Sequence, residues 1–134
     1  SVFQLLIQFT TLCPMKSWIL ILVTSCCFSS CSLNFNEPPL TLLPGAEPSA
    51  KSRNDLGIQH YQTGKYLDAL LQFNQANFAD PTSGEIHFNL GLAYLQKNRK
   101  EKAKKHFRQA RMLARGNPKI LESSILNKLL QEAD

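Results

Sequence analysis

The chain has 134 residues, which is room for one small domain, and its hydrophobic content of 43% suits a globular protein. The net charge of +5 is concentrated in residues 97–115, which hold nine basic residues against one acidic residue. All four cysteines lie between positions 13 and 31, which excludes a disulfide or a thiol metal site in the remaining three-quarters of the chain.

The segment 1–31 is mostly apolar or small. Met15-Lys16-Ser17 and the apolar run at 18–23 match the charged and apolar regions of an export signal. Small residues and cysteines follow, so the segment resembles a bacterial lipoprotein signal, in which a cysteine after small residues is lipidated and becomes the mature N-terminus. We favour Cys31, because it gives a signal of normal length. Cys26 has the better local match but leaves a signal that is unusually short when counted from Met15.

An ordinary cleaved signal or a plain membrane anchor is the alternative for this segment. The apolar run at 18–28 is shorter than the roughly 20 residues that span a bilayer. Residues 1–14 are interpreted as translated upstream sequence or the end of a fragment. The sequence thus predicts a protein of the bacterial cell envelope, anchored by lipid on the periplasmic side of a membrane.

Residues 32–49 contain four prolines, Gly45 and few charges. No regular helix or strand tolerates that density of proline, so a flexible, extended tether is predicted here.

Residues 56–110 contain one pattern twice, with a constant offset between the two copies. Leu56-Gly57 recurs as Leu90-Gly91, and the same offset relates Ala69, Phe73 and Ala76 to Ala103, Phe107 and Ala110. A fixed period of this size is typical of stacked helical repeats.

The order of these residues resembles the tetratricopeptide repeat. Departures are His60 in place of Tyr, His87 in place of Trp, and the absence of a closing Pro in the second copy. The resemblance covers residues 50–133 and implies an all-α solenoid. It would comprise two helix-turn-helix repeats, at about 50–83 and 84–117, and a capping helix at about 118–133.

Helix boundaries follow from capping residues. Five helices are predicted, at about 50–62, 65–77, from Asp80 to 97, 99–115 and 117–132. Gly64 and Asn98 suit the left-handed conformation at a helix end. The fifth helix leaves the repeat pattern and has a broad apolar face, which is expected to close the open end of the stack. A second subunit, giving a homodimer, is the alternative way to cover this apolar surface.

The resemblance implies that the first helix of each repeat lines a concave face that binds a partner peptide or helix. At helical spacing this face would carry Asn54, Ile58, Tyr61, Gln62, Phe88, Asn89, Leu92 and Gln96. The alternative is that its apolar members only pack against neighbouring helices. Some family members clamp a C-terminal carboxylate with Lys and Asn, but Asn54 and Ile58 stand at those positions here, so no clamp is predicted.

The fourth helix is strongly basic, and its charges are predicted on the outer side. They are Lys100, Lys104, Lys105, Arg108 and Arg111. Acidic lipid or an acidic protein would suit this surface, and a solvated face is the alternative. Nucleic acid is not expected, because an exported protein seldom meets it.

The histidines indicate no metal site. His60 and His87 are interpreted as packing residues, and His106 as exposed on the charged helix. Because the sequence contains no catalytic triad, paired carboxylates or glycine-rich phosphate loop, neither catalysis nor a cofactor is expected.

These features predict a non-catalytic, lipid-anchored adaptor. The chain resembles the tetratricopeptide lipoproteins that help assemble type IV pili or secretion pores, and those that dock cell-wall enzymes. The alternative is a soluble cytosolic adaptor whose N-terminal segment is misassigned.

Overall fold

In the computed structural model, residues 37–132 are described, and they form helices joined by turns without any strand. The predicted export signal, with Cys26 and Cys31, lies outside these residues. Within the described part, no helix is both long and apolar enough to cross a membrane. The helices are α1 Pro48–Gln62, α2 Tyr66–Ala79, α3 Gly84–Gln96, α4 Lys100–Met112, α5 Pro118–Leu121 and α6 Ser124–Gln131.

The helices pack as two consecutive pairs, α1 on α2 and α3 on α4, which correspond to the two sequence repeats. Contacts between α2 and α3 join the pairs, and α6 packs on α4. The predicted all-α solenoid is thereby confirmed.

Each helix pair depends on a glycine in its first helix. A Cβ added to Gly57 would lie 2.5 Å from Cε1 of Phe73, and one added to Gly91 would lie 2.6 Å from Cε1 of Phe107. Both rings are fully buried. The repeated Leu-Gly therefore marks the point where the phenylalanine ring of the second helix meets the backbone of the first.

The turns between paired helices also follow the sequence pattern. Gly64 and Asn98 have φ values of 75° and 55°, in the left-handed region that ends a helix. The start of α3 differs from the prediction, because its N-cap is Ser83, whose Oγ accepts from the N–H of Ile86 at 3.3 Å. Asp80 instead accepts from the N–H of Thr82 in the preceding turn.

The predicted fifth helix is two helices. Asn117 caps α5, as expected, but α5 ends at Leu121 and a second N-cap follows. Ser123 Oγ accepts from the N–H of Leu126 at 3.1 Å and so starts α6. Because of this break, the N-terminus of α6 faces Glu37, whose carboxylate accepts from the N–H of Ile125.

The apolar residues of α5 and α6 are buried with those of the second repeat. Ile120, Ile125, Leu126, Leu129 and Leu130 belong to one cluster with Phe88 and Phe107. These helices therefore cover the end of the second repeat.

Residues 37–47, named the strap here, differ from the predicted flexible tether. Leu40 and Leu42 are buried, and the strap leads directly into α1, which begins at Pro48 rather than Ala50. Proline density excludes a helix in this segment, but it does not prevent an extended chain from packing on one. The side chains that hold the strap come from distant helices.

Replacing both Leu126 and Leu130 with alanine is expected to unfold most of the domain. Leu126 is fully buried and Leu130 nearly so, and each truncation of a buried leucine costs about 2–5 kcal/mol. A small domain has only about 5–10 kcal/mol of stability in total. Circular dichroism melts measure the loss. The matched control is Leu121→Ala, at an exposed leucine of α5, which should melt close to the wild type. An unchanged melting temperature with lost self-association in sedimentation would contradict the capping role.

Candidate functional site

Two asparagines at the centre of the inner face bind the main chain of the strap. The N–H of Leu40 donates to Oδ1 of Asn89 at 2.6 Å. Its carbonyl oxygen accepts from Nδ2 of Asn89 at 2.8 Å and from Nδ2 of Asn54 at 3.0 Å. Asn89 Nδ2 also donates to Oδ1 of Asn54 at 2.9 Å. One residue of an extended chain is therefore bound through both of its backbone polar groups.

The sequence predicts both asparagines on this face, and the repeat pattern explains why they meet. Asn54 lies on α1 and Asn89 on α3, 35 residues apart, so equivalent helices of adjacent repeats place them side by side. Both are fully buried. Each amide has found hydrogen-bond partners, as a buried polar group requires.

Two leucines of the strap extend the hydrophobic core on this face. Leu40 belongs to the buried cluster of the second repeat and the capping helices, and Leu42 to the cluster of the first repeat. Side chains two residues apart on an extended chain point the same way. The strap therefore adds one leucine to each half of the core.

The carboxylate of Glu37 binds the N-terminus of α6. It accepts from the hydroxyls of Ser123 and Ser124 at 2.6 and 2.7 Å, and from the N–H of Ile125 at 3.1 Å. Burial raises the pKa of Glu37, but these hydrogen bonds together outweigh it and lower the pKa below its ordinary value. The break between α5 and α6 thus creates a binding position for a carboxylate.

The remaining predicted residues of the inner face fall into two groups. Ile58, Phe88 and Leu92 are buried in the two core clusters, and Phe88 packs edge-on against Phe107 with ring centroids 5.6 Å apart. Tyr61 is half-buried, and its hydroxyl accepts from Nε2 of Gln96 at 3.1 Å. Gln62 is exposed.

The strap residues of this site are missing from the sequence prediction. The signal that could have found them is the alternation Leu40-Thr41-Leu42, a period of two within a proline-flanked segment. An interpretation based on proline content alone does not detect this alternation. Nothing local in the sequence indicates that Glu37 meets a helix 88 residues away.

Two of the five residues predicted to form the basic surface lie next to carboxylates. Lys100 pairs with Glu132 at 2.6 Å, and Lys104 is buried, with Nζ 3.7 Å from Glu101. The prediction that Lys104 is exposed is therefore wrong, because it lies on the side of α4 that also carries the buried Ala103 and Phe107. The other three predicted residues, Lys105, Arg108 and Arg111, are exposed.

His106 is not in solvent, as the sequence analysis expected, but lies in a stack of rings. Its ring is stacked on Tyr94 and on His87, with centroids 5.3 and 5.4 Å away. Its Nδ1 is 3.2 Å from Nδ1 of His87, whose Nε2 lies 3.2 Å from the carbonyl oxygen of Pro81. Burial, helped by the charges of His87, Lys105 and Lys102, lowers the pKa of His106 to about 4. Burial lowers the pKa of His87 as well.

Stability is expected to fall as the pH falls from about 6.5 toward 4. The folded-state pKa of His106 lies below its unfolded value of 6.5, so the unfolded chain binds the proton first and is favoured by acid. The free energy of unfolding should decrease by about 1–2 kcal/mol between pH 6.5 and 5. His106→Phe keeps an aromatic ring in the stack and should flatten this decrease in urea titrations. His60→Gln is the control, and equal slopes in all three proteins would contradict the assignment.

Residues 84–117 match the family described as tetratricopeptide repeat. The chain contains a tetratricopeptide repeat. The match covers α3 and α4 and the turn that follows them, and the first pair repeats its glycine–phenylalanine contact. Neither the curated proteins nor the solved structures gave a match to this chain. Such repeats are typically non-catalytic modules for protein–protein interaction, so the coarse prediction of a protein-binding domain is confirmed.

Proposed function

We propose that this protein is a non-catalytic adaptor that binds an extended segment of a partner protein on the inner face of its two repeats. The observation that carries this proposal is the Asn54–Asn89 pair, which bonds the N–H and the C=O of one strap residue. A pair of amides arranged in this way is a receptor for extended backbone, whichever side chain the bound residue has.

Affinity and selectivity on this face come from different groups. The amides recognise backbone, and burial of apolar side chains such as those of Leu40 and Leu42 supplies free energy, about 1.5–3 kcal/mol for each fully buried leucine. Farther along α1 and α3, the Tyr61–Gln96 pair offers further polar contacts.

Photo-crosslinking in cells tests this function. A photoreactive residue at Gln96, on the inner face, is expected to form one predominant adduct with a partner protein. The control places the same residue at Lys105, which is exposed on α4 and should give little adduct. Adducts from Lys105 without any from Gln96 would place the partner on the outer surface and contradict the proposal.

The adaptor is further proposed to be tethered to a membrane of the bacterial envelope by lipid on Cys31, with Cys26 as the other candidate. The support is the order of residues from Met15 to Cys31. A role in assembling pili or secretion pores, or in docking cell-wall enzymes, follows from the resemblance to tetratricopeptide lipoproteins. A soluble cytosolic adaptor is the second candidate. It would bind its partner in the same groove, which is the surface of α1 and α3 around Asn54 and Asn89 that the strap covers.

Mass spectrometry of the protein isolated from its native cells distinguishes the two candidates. The expected result is a mature N-terminus that begins with an acylated cysteine, and Cys31→Ala should abolish the acylation. Cys13→Ala is the matched control, because this cysteine lies before the proposed signal and should not affect processing. Recovery of an intact Lys16 in the soluble fraction would contradict the tether.

A further inference from the structure

The strap presents three kinds of group to the helices, and a matching surface binds each. Its carboxylate, from Glu37, meets the two hydroxyls and the N–H at the start of α6. Its backbone at Leu40 meets the two buried amides. The side chains of Leu40 and Leu42 enter the core. These groups occur in order along a single extended segment.

Of the three positions between these anchors, two contribute little to recognition, and Pro39 is half-buried. Pro38 and Thr41 are exposed, and Leu43, immediately after the second buried leucine, is 59% exposed. The surface therefore selects a pattern, Glu-x-x-Leu-x-Leu, in which the first and third x are unspecified and the second is half-buried. Pro38 and Pro39 restrict the backbone to extended conformations and so reduce the entropy lost on binding.

Resting on the proposed function, we propose that the strap is a built-in ligand that exchanges with a partner. The partner segment would be an extended, acidic peptide with the pattern Glu-x-x-Leu-x-Leu. In the free adaptor the strap covers the groove, and binding of the partner displaces it. The groove thus keeps its buried amides and apolar surface out of water until a segment of the right chemistry arrives.

Exchange is physically feasible because the strap is held by few groups. Two leucines and a short set of hydrogen bonds oppose the entropy lost in ordering about ten residues. In the free protein the strap occupies the groove because it is covalently attached. This attachment gives it an effective concentration on the order of millimolar. A partner displaces it by binding tightly enough to compete at that concentration.

A second copy of this chain is a poorer occupant than a partner peptide. The N–H of Ala46 donates to the carbonyl oxygen of Leu43 at 3.2 Å, so a turn separates the strap from α1. Glu47 then caps α1 by accepting from the N–H of Ala50 at 2.6 Å. To reach a neighbouring molecule, the strap would have to open this turn, whereas displacement by a partner does not require that opening.

The test uses the full chain and a labelled peptide of residues 36–44, NEPPLTLLP. Fluorescence anisotropy should show weak binding to the wild type. The double variant Leu40→Ser/Leu42→Ser releases the strap and should bind at least tenfold more tightly. Leu43→Ser is the matched control, since it changes the neighbouring exposed leucine and should bind like the wild type.

Glu37→Gln provides a second, milder release, because it removes a charge at the surface without touching the core. It should increase peptide affinity by about threefold or more. In the strap-released background, adding Asn89→Ala should reduce peptide affinity about fivefold or more. Asn89→Ala alone is expected to change the apparent affinity little, since the strap and the peptide lose the same hydrogen bonds.

Each other outcome overturns the proposal. Equal affinity of released and wild-type proteins would show that the strap does not compete for the groove. Unfolding of the double variant, checked by circular dichroism, would show that the strap is a fixed part of the core. Equal binding of a scrambled peptide would show that the groove does not recognise the pattern Glu-x-x-Leu-x-Leu. Dimers held by exchanged straps, detected by sedimentation, would show that a second copy of the chain is the occupant. Adducts from Gln96 in cells would in all these cases leave the adaptor function standing.

Discussion

A buried amide must have hydrogen-bond partners, because leaving one unsatisfied costs about 1–3 kcal/mol, and the inner face of this domain is built on that requirement. Asn54 and Asn89 are fully buried between the two repeats. They bond to each other and to the backbone of Leu40. The same contacts therefore satisfy the buried amides and hold one residue of an extended segment through its backbone.

The repeat architecture could be predicted from the sequence because it depends on contacts between residues in similar positions of each repeat. A glycine that admits a phenylalanine ring leaves a trace in the sequence, since no other residue fits at Gly57 or Gly91 without displacing the ring. Gly64 and Asn98 leave a similar trace in the sequence, because the left-handed backbone at these turns favours glycine and asparagine. Such constraints act locally and recur at the same place in each repeat, so the pattern reports them twice.

The rest of the site could not be predicted, because it depends on contacts that occur once and join distant segments. Leu40 meets Asn89 across 49 residues, and Glu37 meets Ser124 across 87. The burial of His106 has a related cause, because its neighbours His87 and Tyr94 lie on another helix. Periodicity reports which face of a helix is apolar, but it does not report what lies against that face.

In a linear stack of repeats each unit contacts only its neighbours, and the ends can fray independently of the middle. The strap changes this behaviour, because it contacts α1 through Asn54, α3 through Asn89 and α6 through Ser124 and Ile125. Helices α1 and α6, the first and last in residues 37–132, are thereby coupled through one segment. Amide hydrogen exchange in α1 and α6 should then be governed by a common opening, and the domain should unfold as one cooperative unit although it contains only two repeats.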